Sequence, residues 1–250
     1  MNIKQYLDST YLKTAAQAGL TEKENATVVE GFIQEAITEG FKLIMIRPDY
    51  VKTARKMIDA AGSKLLIGTV ISFPKGVNSL EEKLAEAQKA IEDGVDELDY
   101  VCHYEAFKKG EVDLVKEEVL RGTQLAFNHH KVAKWIIEVA ALTDDQIIQI
   151  SALIKNVVMA HFKEDCYQNV FVKSSTGFYV TENNLPNGAT KPTVIMMLEN
   201  ASPLPVKAAG GVRTYEEAVE MIRRQCDDDL LQFGQRITLR PVLAVRHGVE

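Results

Sequence analysis

The sequence contains two lysines at the ends of apolar, β-rich runs, where a lysine is a poor packing residue. Lys173 ends the run Asn169–Lys173, and Lys207 stands near the end of Leu204–Ala208. An ammonium group is costly to bury, and burial or a nearby cation lowers the pKa of a lysine from ~10.4 towards neutrality. Because a neutral amine can attack a carbonyl carbon, these positions predict a lysine nucleophile.

The pair of lysines also predicts a division of roles. Equivalent ends of neighbouring parallel strands lie roughly 5 Å apart, so each ammonium raises the energy of the other's charged form. One lysine would then be the nucleophile, and its neighbour the cation that lowers the nucleophile's pKa. A lysine that extends its head to solvent explains Lys173 alone about equally well. It does not explain a second such lysine, Lys207, on the next strand.

Carboxylates on two other apolar runs predict partners for these lysines. In Glu97–Val101, alternation places Glu97 and Asp99 on the same side of the strand. A carboxylate buried in a sheet must be paired or hydrogen-bonded, so Asp99 is predicted to pair with Lys207 in a proton relay. A purely structural salt bridge is the alternative. Lys134 and Glu138 face the same way and are predicted to extend this polar network.

A double glycine, Gly210–Gly211, follows the Lys207 strand and precedes a helix predicted to begin at Thr214. Free backbone N–H groups at a helix N-terminus form a phosphate site, and α/β barrels often place one after strands seven and eight. A double glycine alone often marks only a turn. Its position directly after the strand-end lysine favours the phosphate site.

The elements that would position these residues alternate between short apolar strands and amphipathic helices. The predicted strands are Phe41–Ile46, Leu65–Ile71, Glu97–Val101, Val132–Val139, Asn169–Lys173 and Leu204–Ala208, with weaker ones at Gln5–Asp8 and Leu230–Phe233. Capping boxes that predict helix starts pair Thr21 with Glu24, Ser79 with Glu82, Thr143 with Gln146 and Thr214 with Glu217.

This βα alternation over 250 residues, without a GxGxxG turn, predicts an α/β fold of the (β/α)₈ TIM-barrel type. No linker divides the chain, so residues 1–250 are expected to form one domain. The longest irregular segment, Gly177–Ala189, would lie on the active-site face of the barrel.

Composition excludes several classes of function. The 35 acidic against 29 basic residues give a net charge of -6, which disfavours binding to nucleic acid. No apolar run approaches the ~18 residues of a membrane span, and no signal peptide precedes Thr10. Three scattered cysteines favour a reducing cytoplasm over a disulfide framework. The five histidines lack HxH or HExxH spacing, so no metal or other cofactor is expected.

With these motifs, the sequence resembles the deoxyribose-phosphate aldolase family, whose members are class I, Schiff-base aldolases with a TIM-barrel fold. The resemblance covers essentially the full chain. The matching segments are Leu7–Thr10, Thr69–Gly76, Asp96–Asp99, Lys134–Glu138, Val172–Gly177 and Val206–Thr214.

The resemblance implies that Lys173 forms the Schiff base, that Lys207 perturbs its pKa and that Asp99 joins the proton relay. It implies reversible, metal-free cleavage of 2-deoxyribose 5-phosphate into acetaldehyde and glyceraldehyde 3-phosphate. It also implies two further groups of residues. The phosphate region would contain Thr176, Gly177, Gly210, Gly211 and Gly234, and Asp8 would join the polar network of Lys134 and Glu138.

Three segments depart from the family pattern. Where the family ends strand eight with glycine, small residues and serine, this chain has Gly234-Gln235-Arg236-Ile237, so Arg236 is predicted to contact the phosphate. The Gly177–Ala189 loop is longer than expected and carries Phe178 and Tyr179. The sequence ends without the tyrosine that some members use in proton transfer, so water is expected to replace it.

These departures leave two alternatives open. One is the same chemistry on another or unphosphorylated aldehyde, and the other is a non-catalytic relative that binds sugar phosphates. The second is disfavoured because binding alone does not require paired lysines. The expected partners are sugar phosphates and aldehydes, with a homodimer compatible with the resemblance.

Overall fold

The computed structural model describes residues 3–182, 185, 187–210 and 236–238, the last segment through its backbone. Eight parallel strands pair in chain order, and the eighth pairs with the first, which closes the barrel. The strands are β1 Leu7–Tyr11, β2 Leu43–Ile46, β3 Leu66–Ile71, β4 Glu97–Val101, β5 Val132–Ile136, β6 Val170–Lys173, β7 Val206–Ala208 and β8 Arg236–Thr238. The predicted (β/α)₈ architecture is confirmed.

Helices alternate with these strands. They are α1 Ala15–Ala18, α2 Glu22–Glu39, α3 Val51–Ala60, α4 Leu80–Glu92, α5 Tyr104–Lys108, α6 Val112–Asn128, α7 Asp144–His161 and α8 Lys191–Ala201. The capping boxes predicted at Thr21, Ser79 and Thr143 are confirmed, and Thr14 forms a further one that was not predicted. The box predicted at Thr214 lies outside the described residues. None of the described helices is both long and apolar enough to cross a membrane.

The strands β2, β3, β6 and β7 begin one or two residues later than predicted. Two further predicted strands have different bounds because the backbone turns at their ends. The first begins at Leu7 rather than Gln5, since Ile3–Tyr6 forms a 3₁₀ turn. The fifth ends at Ile136 rather than Val139, since Glu138 adopts a left-handed φ of 57° that no strand can continue. The side chain of Glu138 is therefore aimed by a turn and not by the alternation of a strand.

The closing strand differs from its prediction. The apolar run Leu230–Phe233 lies outside the described residues, and the strand that pairs with both neighbours is β8, Arg236–Thr238. Arg236 is therefore the first residue of β8 and the register partner of Lys207, so the expectation that it follows the strand's end is wrong. Periodicity alone could not choose between the two short runs Leu230–Phe233 and Arg236–Thr238, because only pairing with β1 and β7 identifies the closing strand.

A rigid turn links β3 to α4 at the carboxyl end of the barrel. Ser72 adopts a left-handed φ of 56°, and its N–H donates to the carboxylate of Glu86 at 2.7 Å. Its hydroxyl donates to Asn78 at 2.7 Å. Gly76, at φ 67°, packs directly against the backbone carbonyl of Cys102, just beyond β4. This turn therefore fixes the β3 end against the β4 end.

We expect Gly76→Ala to destabilise the protein more than Gly62→Ala does. Both glycines have left-handed φ values, 67° and 60°, so each alanine suffers roughly 1–3 kcal/mol of backbone strain. A Cβ at Gly76 would also lie 2.9 Å from the Cys102 carbonyl carbon and closer still to its oxygen, whereas nothing lies within 4 Å at Gly62. Denaturant unfolding of both variants measures the difference, and equal losses would contradict the predicted backbone clash.

Candidate active site

Among the side chains that the structure describes, the strands deliver six ionisable ones to the barrel interior. Parallel pairing places Asp99 beside Lys134, and Lys173 beside Lys207. All six are at most 3% exposed: Asp8, Glu97, Asp99, Lys134, Lys173 and Lys207. Three lysines facing three carboxylates are formally neutral together, which is the condition under which charges can be buried at all.

Asp99 lies at the centre of this cluster. Lys173 Nζ donates to Asp99 Oδ2 at 2.7 Å, and Lys134 Nζ lies 3.0 Å from Asp99 Oδ1. Burial alone would raise the pKa of Asp99, but Lys134, Lys173 and Lys207 together hold that pKa well below its usual range. Asp99 is therefore a carboxylate at neutral pH that contacts the predicted nucleophile directly.

Lys207 pairs with two carboxylates, of which one was predicted as its partner. The predicted ion pair with Asp99 is present, at 3.8 Å from Asp99 Oδ2. The shorter contact is to Asp8 Oδ2, because Lys173 lies closer to Asp99 and β1 brings Asp8 against β7 across the closing strand. Asp8 was expected in the wider network, and Lys134 connects it to the rest at 3.8 Å.

Burial lowers the pKa of Lys207 to about 7, opposed by Asp8 and Asp99 and assisted by the cations Lys134 and Lys173. In the unfolded chain the pKa of a lysine is ~10.4. Between about pH 7 and ~pH 10.4, Lys207 therefore holds a proton in the unfolded chain that it lacks in the folded protein. Stability therefore rises with pH across this window.

We expect Lys207→Met to remove this contribution. The free energy of unfolding of the parent protein should rise relative to that of the variant between about pH 7 and pH 10. Denaturant unfolding of both proteins at several pH values measures the difference, which cancels the titration of groups that do not interact with Lys207. Parallel curves would contradict a lowered pKa at Lys207.

Glu138 contacts the loop after β6. Its Oε2 accepts hydrogen bonds from both the N–H of Thr176, at 3.1 Å, and the Thr176 hydroxyl. Thr176 Oγ1 in turn accepts from the N–H of Phe178 at 3.0 Å. Glu138 was predicted to extend the polar network of Asp99 and Lys134, and these hydrogen bonds join it instead to the start of the long loop.

The structure describes part of the predicted phosphate region. Gly177 and Gly210 have left-handed φ values of 74° and 78°, and the backbone of Gly188 packs against Gly210. Ser174 Oγ exchanges hydrogen bonds with the backbone of Ala209 at 2.9 Å, which joins the ends of β6 and β7. Gly211 and Gly234 lie outside the described residues, and the description of Arg236 covers its backbone.

Sequence reasoning gave no role to Glu97 or Ser174, although both contribute to this arrangement. Glu97 forms an ion pair with Lys134. Its position two residues before Asp99 placed it on the inward side, so alternation could have assigned it as the partner of Lys134. Nothing in the sequence distinguishes Ser174 from an ordinary loop serine, because its contact depends on how β6 and β7 pair.

Aromatic side chains cover one side of the barrel mouth. Phe73 and Phe178 meet edge to face at 5.0 Å, and Tyr104 and Tyr179 do so at 6.4 Å. The guanidinium of Arg47 lies over the Phe73 ring at 5.3 Å. These contacts hold the beginning of the Gly177–Ala189 loop against the β3 and β4 ends.

The cluster has the parts that amine chemistry on a carbonyl requires. Lys173 is 3% exposed whereas Lys207 is fully buried, so Lys173 is the lysine nearer to an entering molecule. Asp99 and the second lysine supply positions for protons that move when an amine adds and water leaves. Among the described residues no group of three or more His, Cys, Asp or Glu side chains could hold a metal ion.

The model of the DeoC/LacD family aldolases matches residues 10–237. The chain therefore belongs to the DeoC/LacD family of aldolases. A deoxyribose-phosphate aldolase of Thermococcus gammatolerans is 36% identical over 238 residues, which cover 95% of both chains. One of Lactiplantibacillus plantarum is 34% identical over 227 residues, or 89% of this chain and 92% of that one.

A solved structure supports the same fold. The tetrameric deoxyribose phosphate aldolase of Aeropyrum pernix has a TM-score of 0.69 and 27% identity, covering 95% of this chain and 86% of that one. As a member of the DeoC/LacD family the protein is an aldolase, and the known chemistry of the family is a Schiff base. The resemblance stated from sequence motifs is confirmed.

Proposed function

We propose that the protein is a class I aldolase that reversibly cleaves 2-deoxy-D-ribose 5-phosphate into acetaldehyde and D-glyceraldehyde 3-phosphate. The observation that carries the proposal is the 2.7 Å contact between Lys173 at the mouth and the ionised Asp99 beneath it. A second, fully buried lysine on the next strand, Lys207, completes the constellation. The names of the relatives at 34–36% identity support the substrate.

In this reaction the amine of Lys173 adds to C1 of the open-chain sugar, and water leaves to give an iminium ion. A base removes the proton of the C3 hydroxyl, the C2–C3 bond breaks, and its electron pair forms an enamine at C2. Glyceraldehyde 3-phosphate departs. Protonation at C2 and addition of water then release acetaldehyde and restore the amine. Asp99 and Lys207, with Asp8 behind them, are placed to exchange these protons.

The substrate phosphate would lie at the β6–β8 side of the mouth. Thr176, Gly177 and Gly210 border this side, and Gly211 follows Gly210 directly in the sequence. Arg236 begins β8 beside Lys207, so it would contact the phosphate from within the barrel and not from beyond the end of the strand. We place the enzyme in the cytoplasm as a single catalytic domain that assembles with copies of itself. Its partners are then the sugar phosphate and the two aldehydes.

The direct test is a coupled assay of the purified protein with 2-deoxyribose 5-phosphate. Acetaldehyde release is followed through NADH oxidation by alcohol dehydrogenase, and the activity should survive treatment with a chelator. Absence of acetaldehyde release, with the barrel shown to be folded, would contradict the proposal.

We expect Arg236→Ala to raise the KM for the sugar phosphate by roughly ten- to a hundredfold. A charge-assisted hydrogen bond contributes roughly 1.5–3 kcal/mol, and a guanidinium can hold a phosphate through two of them. Unphosphorylated deoxyribose is the control substrate, because its KM should hardly change. Equal losses on both substrates, or none, would mean that Arg236 does not contact the phosphate.

A further inference from the structure

Arg47 is a charged residue at the barrel mouth to which the proposed reaction assigns no role. It follows β2 directly, and its Nε donates to the carbonyl oxygen of Leu12, just beyond β1, at 2.9 Å. Its guanidinium carbon lies 5.3 Å from the centre of the Phe73 ring, in the turn after β3. Arg47 therefore connects the ends of three strands, β1, β2 and β3.

The guanidinium is held in this place at an electrostatic cost. Burial lowers the pKa of Arg47, and the carboxylates of Asp49 and Glu86 oppose this effect only in part. A planar guanidinium can stack on a ring while its Nε donates a hydrogen bond, which the point charge of a lysine does less well. The contacts therefore favour a role in fixing the ring of Phe73 over the role of an ordinary surface charge.

Phe73 lies between the two halves of the mouth. It packs against two clusters of buried residues, of which the first consists of Leu12, Leu43, Met45 and Val70, and the second of Val101, Tyr104 and Ile136. The residue before it, Ser72, is fixed by hydrogen bonds to Glu86 and Asn78, both at 2.7 Å. Because packed side chains have little free space, a displacement of the Phe73 ring passes to the groups that it touches.

One group that Phe73 touches belongs to the loop after β6. Phe178 meets Phe73 edge to face, with the ring centres 5.0 Å apart. The N–H of Phe178 donates to Thr176 Oγ1 at 3.0 Å, and Gly177 lies between these two residues with a left-handed φ of 74°. The position of the Phe178 ring therefore sets the backbone of Thr176 and Gly177, which border the proposed phosphate side of the mouth.

Direct contact between Arg47 and the phosphate is the alternative, and two observations disfavour it. β2 lies opposite β6 in the closed order of strands, so Arg47 is across the mouth from the strand that carries Lys173. The carboxylates of Asp49 and Glu86, which act on the guanidinium, would also repel a dianion beside it.

We propose that Arg47 is a positioning residue that holds the Thr176–Gly177 backbone in place for the substrate phosphate, through the rings of Phe73 and Phe178. The inference rests on the proposed function, because it takes the phosphate to lie at the β6–β8 side of the mouth. A backbone that is already in place loses less conformational entropy when it binds the phosphate, so Arg47 lowers the KM for the phosphorylated substrate. The chemical step at Lys173 keeps its rate.

The test is steady-state kinetics of Arg47→Leu with 2-deoxyribose 5-phosphate. We expect KM to rise roughly three- to tenfold, with kcat within about twofold of that of the parent protein. The KM for unphosphorylated deoxyribose should stay the same. Arg47→Lys keeps a cation that can lie over Phe73, so it should restore most of the lost affinity. A merely destabilised variant would show neither this split between KM and kcat nor this rescue.

Arg55→Leu is the matched control. Arg55 is also a partly buried arginine whose Nε donates to a backbone carbonyl, that of Gly94, at 3.0 Å. It lies on α3 and pairs with Asp96, which directly precedes β4 and so lies at the end of the barrel opposite the mouth. This variant should lose stability and keep the parent's KM for both substrates.

A double-mutant cycle separates transmission through the rings from direct contact with the phosphate. Phe178→Leu removes the edge-to-face contact and should raise the same KM. If Arg47 acts through Phe178, the variant that combines Arg47→Leu with Phe178→Leu should have a KM no higher than that of the worse single variant. Effects that multiply would show that Arg47 acts independently of Phe178, and would overturn the inference.

The remaining outcomes bear on the inference and on the proposed function separately. In a parent protein that releases acetaldehyde, an unchanged KM in Arg47→Leu overturns the inference alone. An equal rise in KM for unphosphorylated deoxyribose, or an equal rise in Arg55→Leu, does the same. A folded parent protein that releases no acetaldehyde from 2-deoxyribose 5-phosphate overturns the proposed function and, with it, the inference.

Discussion

Replacing Lys173 with methionine is expected to lower turnover by more than the ~10²–10⁴-fold typical of losing one acid/base group, because the covalent intermediate cannot form. Borohydride added with acetaldehyde should label the peptide that carries Lys173 in the parent protein. The label should be absent from the Lys173→Met variant. Mass spectrometry of the digested protein identifies the labelled lysine, and an adduct on Lys207 would reverse the two roles.

A second buried lysine provides a matched control for this experiment. Lys83 is 1% exposed and holds Glu118 at 2.6 Å, much as Lys173 holds Asp99 at 2.7 Å, but it lies on α4 outside the barrel interior. Lys83→Met also leaves a buried carboxylate without its cation, so it should be destabilised to a similar degree. The folded fraction of Lys83→Met should still form the borohydride adduct, which separates loss of chemistry from loss of fold.

The second large effect is expected for Asp99→Asn. An amide keeps the shape of the side chain but neither accepts a proton nor balances the lysines around it, so turnover should fall by roughly 10²–10⁴-fold. The KM for the sugar phosphate should change much less, because Asp99 lies beneath Lys173 and away from the predicted phosphate region. Steady-state kinetics of the variant measures both quantities.

Asp96→Asn is the control for this substitution. Asp96 lies three residues earlier and pairs with Arg55 at 2.6 Å, where it also accepts the N–H of Ile67 at 2.8 Å. This variant should lose stability and retain turnover. If Asp99→Asn keeps near-normal turnover, Asp99 is a structural ion-pair residue and the proton exchange must pass through another group, such as Asp8.

The sequence predicts the inward residues well where strand alternation decides their direction. Alternation places Asp99 on the same side of its strand as Glu97, and the second strand-end lysine, Lys207, favours an inward Lys173 over one that extends to solvent. Asp99 and Lys173 are both found inside the barrel. The alternation of strands and helices likewise predicts a closed barrel. These properties are local, so a short window of sequence contains them.

Pairing across the barrel is not local, and there the sequence is insufficient. Asp8 reaches Lys207 because β8 joins β1 to β7, which no window of sequence contains. The β8 bounds depend on the same closure. Glu138 was placed by extending β5, but the left-handed turn at that residue directs its carboxylate to Thr176. The position of a turn and the closure of the barrel decide these contacts, and neither leaves a periodic pattern in the sequence.

The ion pair between Asp8 and Lys207 joins positions 199 residues apart in the chain. Contacts of this separation form late, because a long loop must close before they repay its entropy. During synthesis Lys207 emerges long after Asp8, and the burial that lowers the pKa of Lys207 is absent until the first and last strands meet. A partly synthesised chain therefore lacks the lowered pKa of Lys207, which arises only when the barrel closes.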